Sequence, residues 1–245
     1  MSLFLATIIA DKRGAMIIYQ PTEGYCYNSD TIFLYHFIRR IGLRGTVLDV
    51  GTGSGILALL AKRDFDVEVD AIELQERFVQ YAKINAQANK LPLHIYLGNF
   101  LHMRFAKRYD YIITNPPFYH TGVLRSKNPM VDMARYSGHM PFEEFVKKAN
   151  QILKPKGALI FCYDAKQTQE LIEKLSRYKF TLETMQFVHP NSDKDATLVM
   201  MHAKKSSKSL CKVVPPLIVF EDGEYRQETK EIFKEVGVHS IKCHI

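Results

Sequence analysis

Short apolar segments alternate with helical periodicity through the middle of the chain, and this alternation limits the fold more than any other feature. The apolar run TVLDV (46–50) precedes ILALLAKR (56–63), and VEVDAIE (67–73) precedes a segment with apolar residues at helical spacing (75–90). Strands that alternate with helices usually form a mostly parallel sheet with helices on its faces. The sequence therefore predicts an α/β fold.

The second half of the chain continues this alternation and then changes it. Two strand-like runs, 181–189 and 196–203, follow each other with no helix between them. That spacing predicts an antiparallel hairpin at the end of the parallel sheet. The elements expected before the hairpin are strands at 93–98, 109–114 and 158–163 and a helix at 142–153, closed by the run KPKG.

The length of 245 residues, with 47% hydrophobic content, suits one substantial core. We expect a single domain, 1–245, in which a covering segment (1–45) precedes a catalytic core (46–203) and a basic connector with a tail (204–245). The first apolar run, 3–10, is too short to span a bilayer, and the four cysteines form no CxxC pair. We therefore expect a cytoplasmic protein with reduced thiols, no metal site and no membrane association.

The chain carries a formal net charge of +7. An excess of this size favours a polyanionic partner such as RNA. A solvated basic surface explains the charge equally well, so composition supports a nucleic-acid function without establishing it.

The run LDVGTGSG (48–55) carries the first chemical signal. A predicted strand continues into Gly51, Gly53 and Gly55 and then into a helix, so the backbone can turn tightly and approach a ligand beside the helix N-terminus. A dinucleotide fingerprint would need glycine or alanine where this chain has Ile56. The pattern therefore favours S-adenosylmethionine, which has no phosphate.

Two acidic residues support this interpretation. Asp49 precedes the glycines, and Glu73 ends the next predicted strand, where a carboxylate can accept hydrogen bonds from two ribose hydroxyls. The alternatives are that Asp49 only orders the turn and that Glu73 only caps the following helix.

The stretch TNPPFYHTG (114–122) follows another predicted strand and carries the second signal. Asn115 falls at the carboxyl end of that strand, where ligands of open α/β sheets bind. Pro116 and Pro117 end the strand and hold their carbonyl groups outward as acceptors. The Asn115 carboxamide and the Pro116 carbonyl can direct an exocyclic amino group at a sulfonium methyl, while Phe118 stacks on the group that carries the nitrogen. The alternative is a strand terminator with a core phenylalanine and a turn-capping asparagine.

With both motifs present, the chain resembles the amino-group methyltransferases of the class I fold, and within them the bacterial tRNA1(Val) adenine-N6 methyltransferases. The segment QPTEGYCYNSDTIFL (20–34) is similar to their QxxxGYxxxxD-type opening. NPPFYHTG followed by ARYSGHMPFEEF (134–145) is similar to their NPPY/F and ARY/ARHE segments. The resemblance covers nearly the whole chain, and it implies a Rossmann-like, seven-stranded, mostly parallel sheet that ends in an antiparallel hairpin.

The same resemblance implies a reaction and a set of residues. A methyl group would pass from S-adenosylmethionine to the N6 amino group of an adenine in tRNA, namely adenine 37 beside the anticodon of a valine tRNA. The expected cofactor contacts, beyond the glycines, Asp49 and Glu73, are Tyr25, Asn28, Ser29, Asp30, Leu74, Asn99, Phe100 and Asn115. For Ser29 and Asp30, a role as simple helix caps explains the sequence nearly as well. The expected RNA contacts are Phe118, Tyr119 and Arg135, together with Lys204, Lys205 and Lys208 of the basic connector, which is otherwise a solvated linker.

Two departures from the family pattern bear on these assignments. Asn99 stands where an acidic residue commonly meets the cofactor adenine, so that contact is neutral here. The chain has ARYS where the family has ARHE, which leaves Arg135 open between an RNA contact and a surface salt bridge.

Three other functions share some of these features. A glutamine-amide methyltransferase of the release-factor type has an NPPY site but normally carries a helical N-terminal domain, for which the 45 residues before the first core strand leave little room. A guanine-N2 rRNA methyltransferase shares the NPPF motif but usually carries a second methyltransferase-like half, which we do not expect in this sequence. A cofactor-binding sensor would be expected to show a damaged NPPF motif, which is intact here.

Overall fold

A computed structural model describes residues 15–23, 26–116 and 140–245 of the chain. No helix in these ranges is long and apolar enough to cross a membrane. Five of the predicted site residues lie outside the described ranges, and their roles stay predictions: Tyr25, Pro117, Phe118, Tyr119 and Arg135.

Helices and strands alternate in the described ranges as the sequence predicts. The strands are β1 (Met16–Pro21), β2 (Gly45–Val50), β3 (Val67–Glu73), β4 (His94–Leu97), β5 (Tyr109–Thr114), β6 (Leu153–Asp164), β7 (Phe180–His189), β8 (Leu198–Lys205), β9 (Lys212–Val213), β10 (Leu217–Ile218), β11 (Phe220–Glu221), β12 (Glu224–Tyr225) and β13 (Val238–Cys243). The helices are α1 (Ser29–Ile41), α2 (Ile56–Asp64), α3 (Glu76–Ala88), α4 (Phe142–Ile152), α5 (Thr168–Arg177) and α6 (Gln227–Val236).

The central sheet has the strand order β10-β7-β8-β6-β5-β2-β3-β4. Strands β4, β3, β2, β5 and β6 run parallel, and β8 runs antiparallel to both β6 and β7. This order confirms the predicted mostly parallel sheet of seven strands with its antiparallel hairpin. The two-residue strands β9 and β10 extend the sheet, because both pair in parallel with β7.

Parallel pairing brings the ends of neighbouring strands to common edges of the sheet. The carboxyl edge is where β2, β3, β4 and β5 end, at Val50, Glu73, Leu97 and Thr114. The amino edge is where the same strands begin, at Gly45, Val67, His94 and Tyr109. Ligands of open α/β sheets bind at the carboxyl edge.

Alternation along the strands divides the core into two layers. Val47 packs in the cluster that contains α1 and α2, and its neighbour Leu48 packs in the cluster that contains α4 and α5. Successive side chains of a strand point to opposite faces, so a strand that helices cover on both faces is apolar at consecutive positions. This double burial explains the unbroken apolar runs in the sequence.

The two ends of the described chain pair with each other, which the sequence does not predict. Strand β1 runs parallel to β13, from Met16 beside Val238 to Pro21 beside Cys243. Helix α6 packs against α1, where the rings of Phe33 and Phe233 lie 5.8 Å apart. The tail beyond residue 204 is therefore docked against the beginning of the described chain.

The sequence predicts that the KPKG run (154–157) closes a helix before the next strand begins, but the structure places the run inside β6. Helix α4 ends at Ile152 and β6 begins at the next residue, so the run lies inside a bulge, between the pairs Tyr109–Leu153 and Tyr111–Ala158. A Cβ on Gly157 would lie 3.0 Å from the Lys154 carbonyl oxygen, so this close approach requires glycine.

Candidate active site

The glycine-rich turn begins where β2 reaches the carboxyl edge. All three glycines have positive φ, with 68° at Gly51, 56° at Gly53 and 87° at Gly55. A Cβ on Gly55 would lie 3.2 Å from Cβ of Ala82, so this glycine packs the turn onto α3. A Cβ on Gly51 or Gly53 would meet no heavy atom within 4 Å. These two glycines therefore leave their outer side open to a ligand.

Asp49 lies beneath the turn and is 1% exposed. One oxygen of its carboxylate, Oδ2, accepts hydrogen bonds from the Thr52 hydroxyl at 2.6 Å and from the Ala58 backbone N–H at 3.1 Å. Burial raises the pKa of Asp49 to about 7, against the opposing effect of these two donors. Asp49 orders the turn, as the alternative interpretation proposed, and it also lines the pocket described below.

Glu73 ends β3 and is 7% exposed. Its Oε2 accepts the backbone N–H of Gly53 and its Oε1 accepts the backbone N–H of Gln75, both at 2.9 Å. Burial raises the pKa of this carboxyl group, and the backbone donors oppose the rise. A third backbone N–H, that of Leu74, also acts on the group. A carboxylate has about four lone-pair sites, so these three donors leave capacity for a ligand. The capping role and a ligand-binding role are therefore compatible in one side chain.

A cavity opens over the turn and has a volume of about 1040 Å³, its open mouth included. Gly55 lies behind the turn and does not line this cavity, and neither do Asn28, Ser29 and Asp30. The predicted site residues that line the cavity are Asp49, Gly51, Gly53, Glu73, Leu74, Asn99, Phe100 and Asn115.

The wall contributed by the N-terminal segment comes from residues that the sequence analysis missed. Gln20, Tyr27 and Thr31 line the cavity. The Gln20 side chain accepts the backbone N–H of Tyr27 at 2.8 Å and donates to the hydroxyl of Ser240, on β13, at 2.5 Å. The QPTEGY segment pointed to this region, but the contribution of β13 had no signal in the sequence.

The predicted residues at the start of α1 do not line the cavity. The Asn28 amide donates to the Asp30 carboxylate at 2.6 Å, and burial raises the pKa of Asp30. Ser29 begins the helix. Thr31, the next residue along, is the one that faces the cavity.

The residues after β3 and β4 form the opposite side of the cavity. The Asn99 side-chain oxygen accepts the backbone N–H of Leu101 at 2.8 Å, which holds the loop after β4. Phe100 is buried against Phe105 and Phe145, and Leu74 is 41% exposed. This side therefore combines a flat apolar surface with an amide that can donate.

Asn115 follows β5 at the carboxyl edge, as predicted, and its carboxamide is bonded on both sides. The Asn115 Nδ2 donates to the Thr31 hydroxyl at 2.9 Å, and Oδ1 accepts from the Cys162 thiol, with Sγ 2.8 Å away. Pro116 is buried directly behind it. The register of β5 against β6 explains the second contact, because Thr114 pairs with Phe161 and the next residues are neighbours.

Two buried carboxylates without a cationic partner in the described ranges line the cavity. Asp49 and Glu73 both line it, and neither forms an ion pair with a residue in the described ranges. A buried carboxylate without a cation is costly, which is why burial raises both pKa values. A ligand that brings positive charge would remove that cost. No group of three metal-ligating side chains occurs among the described residues, and the absence of a metal site stays a prediction.

The basic connector does not lie beside this cavity. Lys204 pairs with Ala158, the first paired residue of β6 after its bulge, and Lys205 pairs with Phe180, the first residue of β7. The connector therefore leaves the sheet at its amino edge. Ala158 is four positions along β6 from Cys162, the neighbour of Asn115, which is a distance of roughly 13 Å along the strand. Lys205 also donates to the Asn150 carbonyl at 2.7 Å, and its pKa is lowered, first by burial and then by nearby Arg108.

Comparison with known proteins identifies similar sequences. A family model described as the methyltransferase small domain matches residues 28–188. A protein of Aliivibrio salmonicida is 28% identical over 158 residues, which cover 63% of this chain and 67% of that protein. A protein of Cytophaga hutchinsonii is 26% identical over 195 residues, which cover 77% of this chain and 81% of that protein. Both are named tRNA1(Val) (adenine(37)-N6)-methyltransferase.

Solved structures share the fold. A protein of Agrobacterium tumefaciens described as a predicted O-methyltransferase superposes with a TM-score of 0.63 at 16% identity, covering 87% of this chain and 100% of that one. The glycopeptide N-methyltransferase MtfA, in complex with S-adenosyl-L-methionine, has a TM-score of 0.52 at 13% identity, covering 76% of this chain and 98% of that one. At these identities the likeness concerns the fold alone.

Proposed function

Because the chain belongs to the family of the methyltransferase small domain, we propose that it transfers a methyl group from S-adenosylmethionine to the N6 amino group of an adenine in tRNA. The names of the relatives supply the address, adenine 37 of tRNA1(Val). The observation that carries the proposal is the position of Asn115, whose carboxamide lies at the carboxyl edge and lines the same cavity as Glu73 and the glycine turn.

The cavity fits S-adenosylmethionine in shape and in charge. Gly51 and Gly53 leave space for a ligand to lie against the backbone, and Asp49 and Glu73 favour a cationic one. The Glu73 carboxylate would accept hydrogen bonds from the ribose hydroxyls. Leu74, Asn99 and Phe100 would hold the adenine. Gln20, Tyr27 and Thr31 would close the side nearest the N-terminal segment, in place of Asn28, Ser29 and Asp30.

Asn115 would act on the amino group of the target base. S-adenosylmethionine supplies an electrophilic methyl group on a sulfonium, and this transfer needs no metal ion. The lone pair of an adenine amino group is delocalised into the ring, which makes the nitrogen a poor nucleophile. Oδ1 of Asn115 and the Pro116 carbonyl would accept its two N–H groups, so that the lone pair turns toward the methyl. No base of matched pKa is needed, because the proton can leave after transfer.

An unpaired adenine in a loop is the easiest substrate for such a site. The cavity lies in a small core built on one central sheet. An enzyme that acts on a base must take that base out of the stack, which costs least for an unpaired base in a loop. Phe118 would stack on that base, and Tyr119 and Arg135 would contact the RNA nearby. A tRNA substrate is also consistent with a cytoplasmic enzyme.

Phosphates of the tRNA body would meet a basic surface at the amino edge. We define this surface, the amino-edge cations, by five side chains that form no ion pair with the described residues: Arg108, Lys156, Lys179, Lys204 and Lys208. They lie at the beginning or end of the adjacent strands β5, β6, β8 and β7. A tRNA is long enough to contact both edges, so these cations would bind backbone and not bases. Lys205 contributes less, because it is bonded to Asn150.

Methyl transfer to tRNA from a strain that lacks the gene tests the proposal. Purified protein is incubated with labelled S-adenosylmethionine and bulk tRNA, and the modified nucleoside is then mapped by mass spectrometry. N6-methyladenine at position 37 of tRNA1(Val) is the expected product. Label on guanine, on protein glutamine or on no RNA would overturn the proposal, whereas N6-methyladenine at another loop position would correct the address only.

A further inference from the structure

The Asn115 carboxamide is held by two side chains that come from distant parts of the chain. Thr31 belongs to the first turn of α1, and Cys162 belongs to β6. The Asn115 Nδ2 lies 2.9 Å from the Thr31 hydroxyl oxygen, and Oδ1 lies 2.8 Å from Cys162 Sγ. Both partners are buried, at 4% and 0% exposure.

The chemistry of the two partners selects one orientation of the amide. A hydroxyl oxygen is a good acceptor for an N–H group, whereas a thiol sulfur is a weak one. A thiol can donate its proton to a carbonyl oxygen. The favoured orientation therefore has Nδ2 toward Thr31 and Oδ1 toward Cys162. It pairs the amide N–H group with the hydroxyl oxygen, which is a better acceptor than the thiol sulfur.

Cys162 keeps the proton that this orientation requires. Burial raises the pKa of its thiol, and the negative charge of nearby Asp30 raises it further. The thiol is therefore protonated at neutral pH and is available as a donor.

We propose that Thr31 and Cys162 are positioning residues for methyl transfer, because they hold Asn115 with the free lone pair of Oδ1 facing the cavity. This inference rests on the proposed function. One lone pair of Oδ1 accepts the hydrogen bond from the Cys162 thiol, and the second stays free. A carboxamide that could rotate would offer the target amino group Nδ2, a donor, for part of the time. Fixing the amide removes that unproductive orientation before the substrate arrives.

Replacing Thr31 with valine tests the first contact. Thr31→Val keeps the shape of the side chain but leaves Nδ2 without its acceptor. The rate of methyl transfer in a single turnover, at saturating cofactor and tRNA, should fall roughly five- to tenfold, the scale of one hydrogen bond. Calorimetry of S-adenosylmethionine binding sets the cofactor concentration that saturates each variant, so that a change in affinity does not enter this rate. Thr31→Ser, which restores the hydroxyl, should recover most of the rate.

Thr114→Val is the matched control for this substitution. Thr114 precedes Asn115 and is 0% exposed, but its hydroxyl donates to the Val50 carbonyl at 2.8 Å and not to Asn115. A surface threonine would be unsuitable here, because only a buried neighbour reproduces the structural cost. The control variant should lose stability while its single-turnover rate stays within about twofold of the wild type. An equal loss of rate in both variants would contradict positioning by Thr31.

Substitution of Cys162 tests the second contact. Cys162→Ala removes the donor and should lower the rate about two- to threefold, a smaller loss because a thiol is a weak donor. Cys162→Ser restores a donor and should recover the rate. A rate that follows the volume of the side chain and not its ability to donate would overturn this half of the proposal.

A measurement without any substrate separates this proposal from the proposed function. Protein labelled with ¹⁵N on asparagine gives side-chain amide signals, and the signal of Asn115 is identified by its loss in Asn115→Asp. In Thr31→Val this signal should shift and its protons should exchange faster, whereas Thr114→Val should leave it in place. An unchanged Asn115 signal in Thr31→Val would refute positioning even if the wild type methylates tRNA. A changed signal in a protein that methylates no tRNA would refute only the proposed function.

Discussion

Two aspartates on neighbouring strands show how differently the two edges of the sheet are built. Asp49, near the carboxyl edge, receives hydrogen bonds from a hydroxyl and a backbone N–H, and burial raises its pKa to about 7. Asp110, at the amino edge, is bonded to Lys154 and Thr46, and these donors and the lysine charge outweigh burial and lower its pKa. The ionised form of the same side chain is disfavoured at one edge and stabilised at the other.

The difference extends to neighbouring residues. At the carboxyl edge, Glu73 also lacks a cationic partner in the described ranges and has a raised pKa. At the amino edge, Glu68 forms an ion pair with Lys107 and has a lowered pKa. These amino-edge carboxylates are neutralised by the protein's own cations, whereas the two at the carboxyl edge leave room for a cationic ligand. The carboxylates of the amino edge therefore contribute to stability, whereas those of the carboxyl edge have the perturbed pKa values that are typical of functional sites.

The largest expected effect separates chemistry from stability. Asn115→Ala should lower methyl transfer by about 10²- to 10³-fold, the scale of losing an interaction made in the transition state, with a far smaller change in cofactor affinity. Thr46→Val removes a hydroxyl bond to Asp110 at the amino edge and should lower the melting temperature without this loss of rate. Normal single-turnover transfer by Asn115→Ala would refute its catalytic role.

A second comparison uses two glutamates of the same strand. Glu73→Ala should weaken S-adenosylmethionine binding by about 1.5 to 3 kcal/mol, because hydrogen bonds to a charged group are removed. Glu68→Ala, at the other end of β3, should leave the affinity unchanged. Calorimetric titration of both folded variants measures the difference, and equal affinities would remove Glu73 from the site.

The two aspartates should give stability differences of opposite sign with pH. The pKa of Asp49 is about 7 in the folded state, against its ordinary value of 3.8. Between these values the unfolded state is ionised while the folded state still holds the proton, so the wild type loses stability as pH rises. Asparagine cannot ionise. The stability of Asp49→Asn relative to the wild type should therefore increase from about pH 4 to pH 7 and then level off.

Asp110→Asn should behave in the opposite way. Its lowered pKa contributes stability that is present above the ordinary value of 3.8 and is lost as pH falls through the folded pKa. The variant should be less stable than the wild type at neutral pH, and the difference should begin to shrink as pH falls below 3.8. The effect should be smaller than at Asp49, since Asp110 is partly exposed and solvent screens it. Melting temperatures across this pH range, without cofactor, test both signs.

The smallest expected effect concerns RNA at the amino edge. The affinity for tRNA falls as salt rises, and charge reversal of Lys204 and Lys208 should make this fall less steep. The slope of log affinity against log salt should shrink in magnitude by about one for each phosphate that the protein no longer binds. Reversal of Lys83 and Lys230, which lie on α3 and α6, changes the net charge equally and should leave the slope nearly unchanged. Equal slopes for the two double variants would assign the amino-edge cations to a solvated surface.

The fold and part of the site could be predicted because their signals are local. Alternating periods marked the parallel sheet, the absence of a helix between two strands marked the hairpin, and Asn115 was placed at the carboxyl edge by the proline pair after β5. For Glu73 the sequence left two roles open. The geometry makes both possible at once, since its three backbone donors do not use all of the roughly four lone-pair sites of a carboxylate.

Other parts of the site depend on contacts between distant residues, which leave no periodic trace in a sequence. The side-chain bond from Gln20 to Ser240 spans 220 positions, and the bond from Cys162 to Asn115 spans 47. The basic connector was recognised from its composition, but strand register decided that it leaves the sheet at the amino edge. Sequence thus determined which strands, turns and chemical groups the chain contains. Tertiary structure alone decided which groups meet at the carboxyl edge, because that depends on the order and register in which the strands pair.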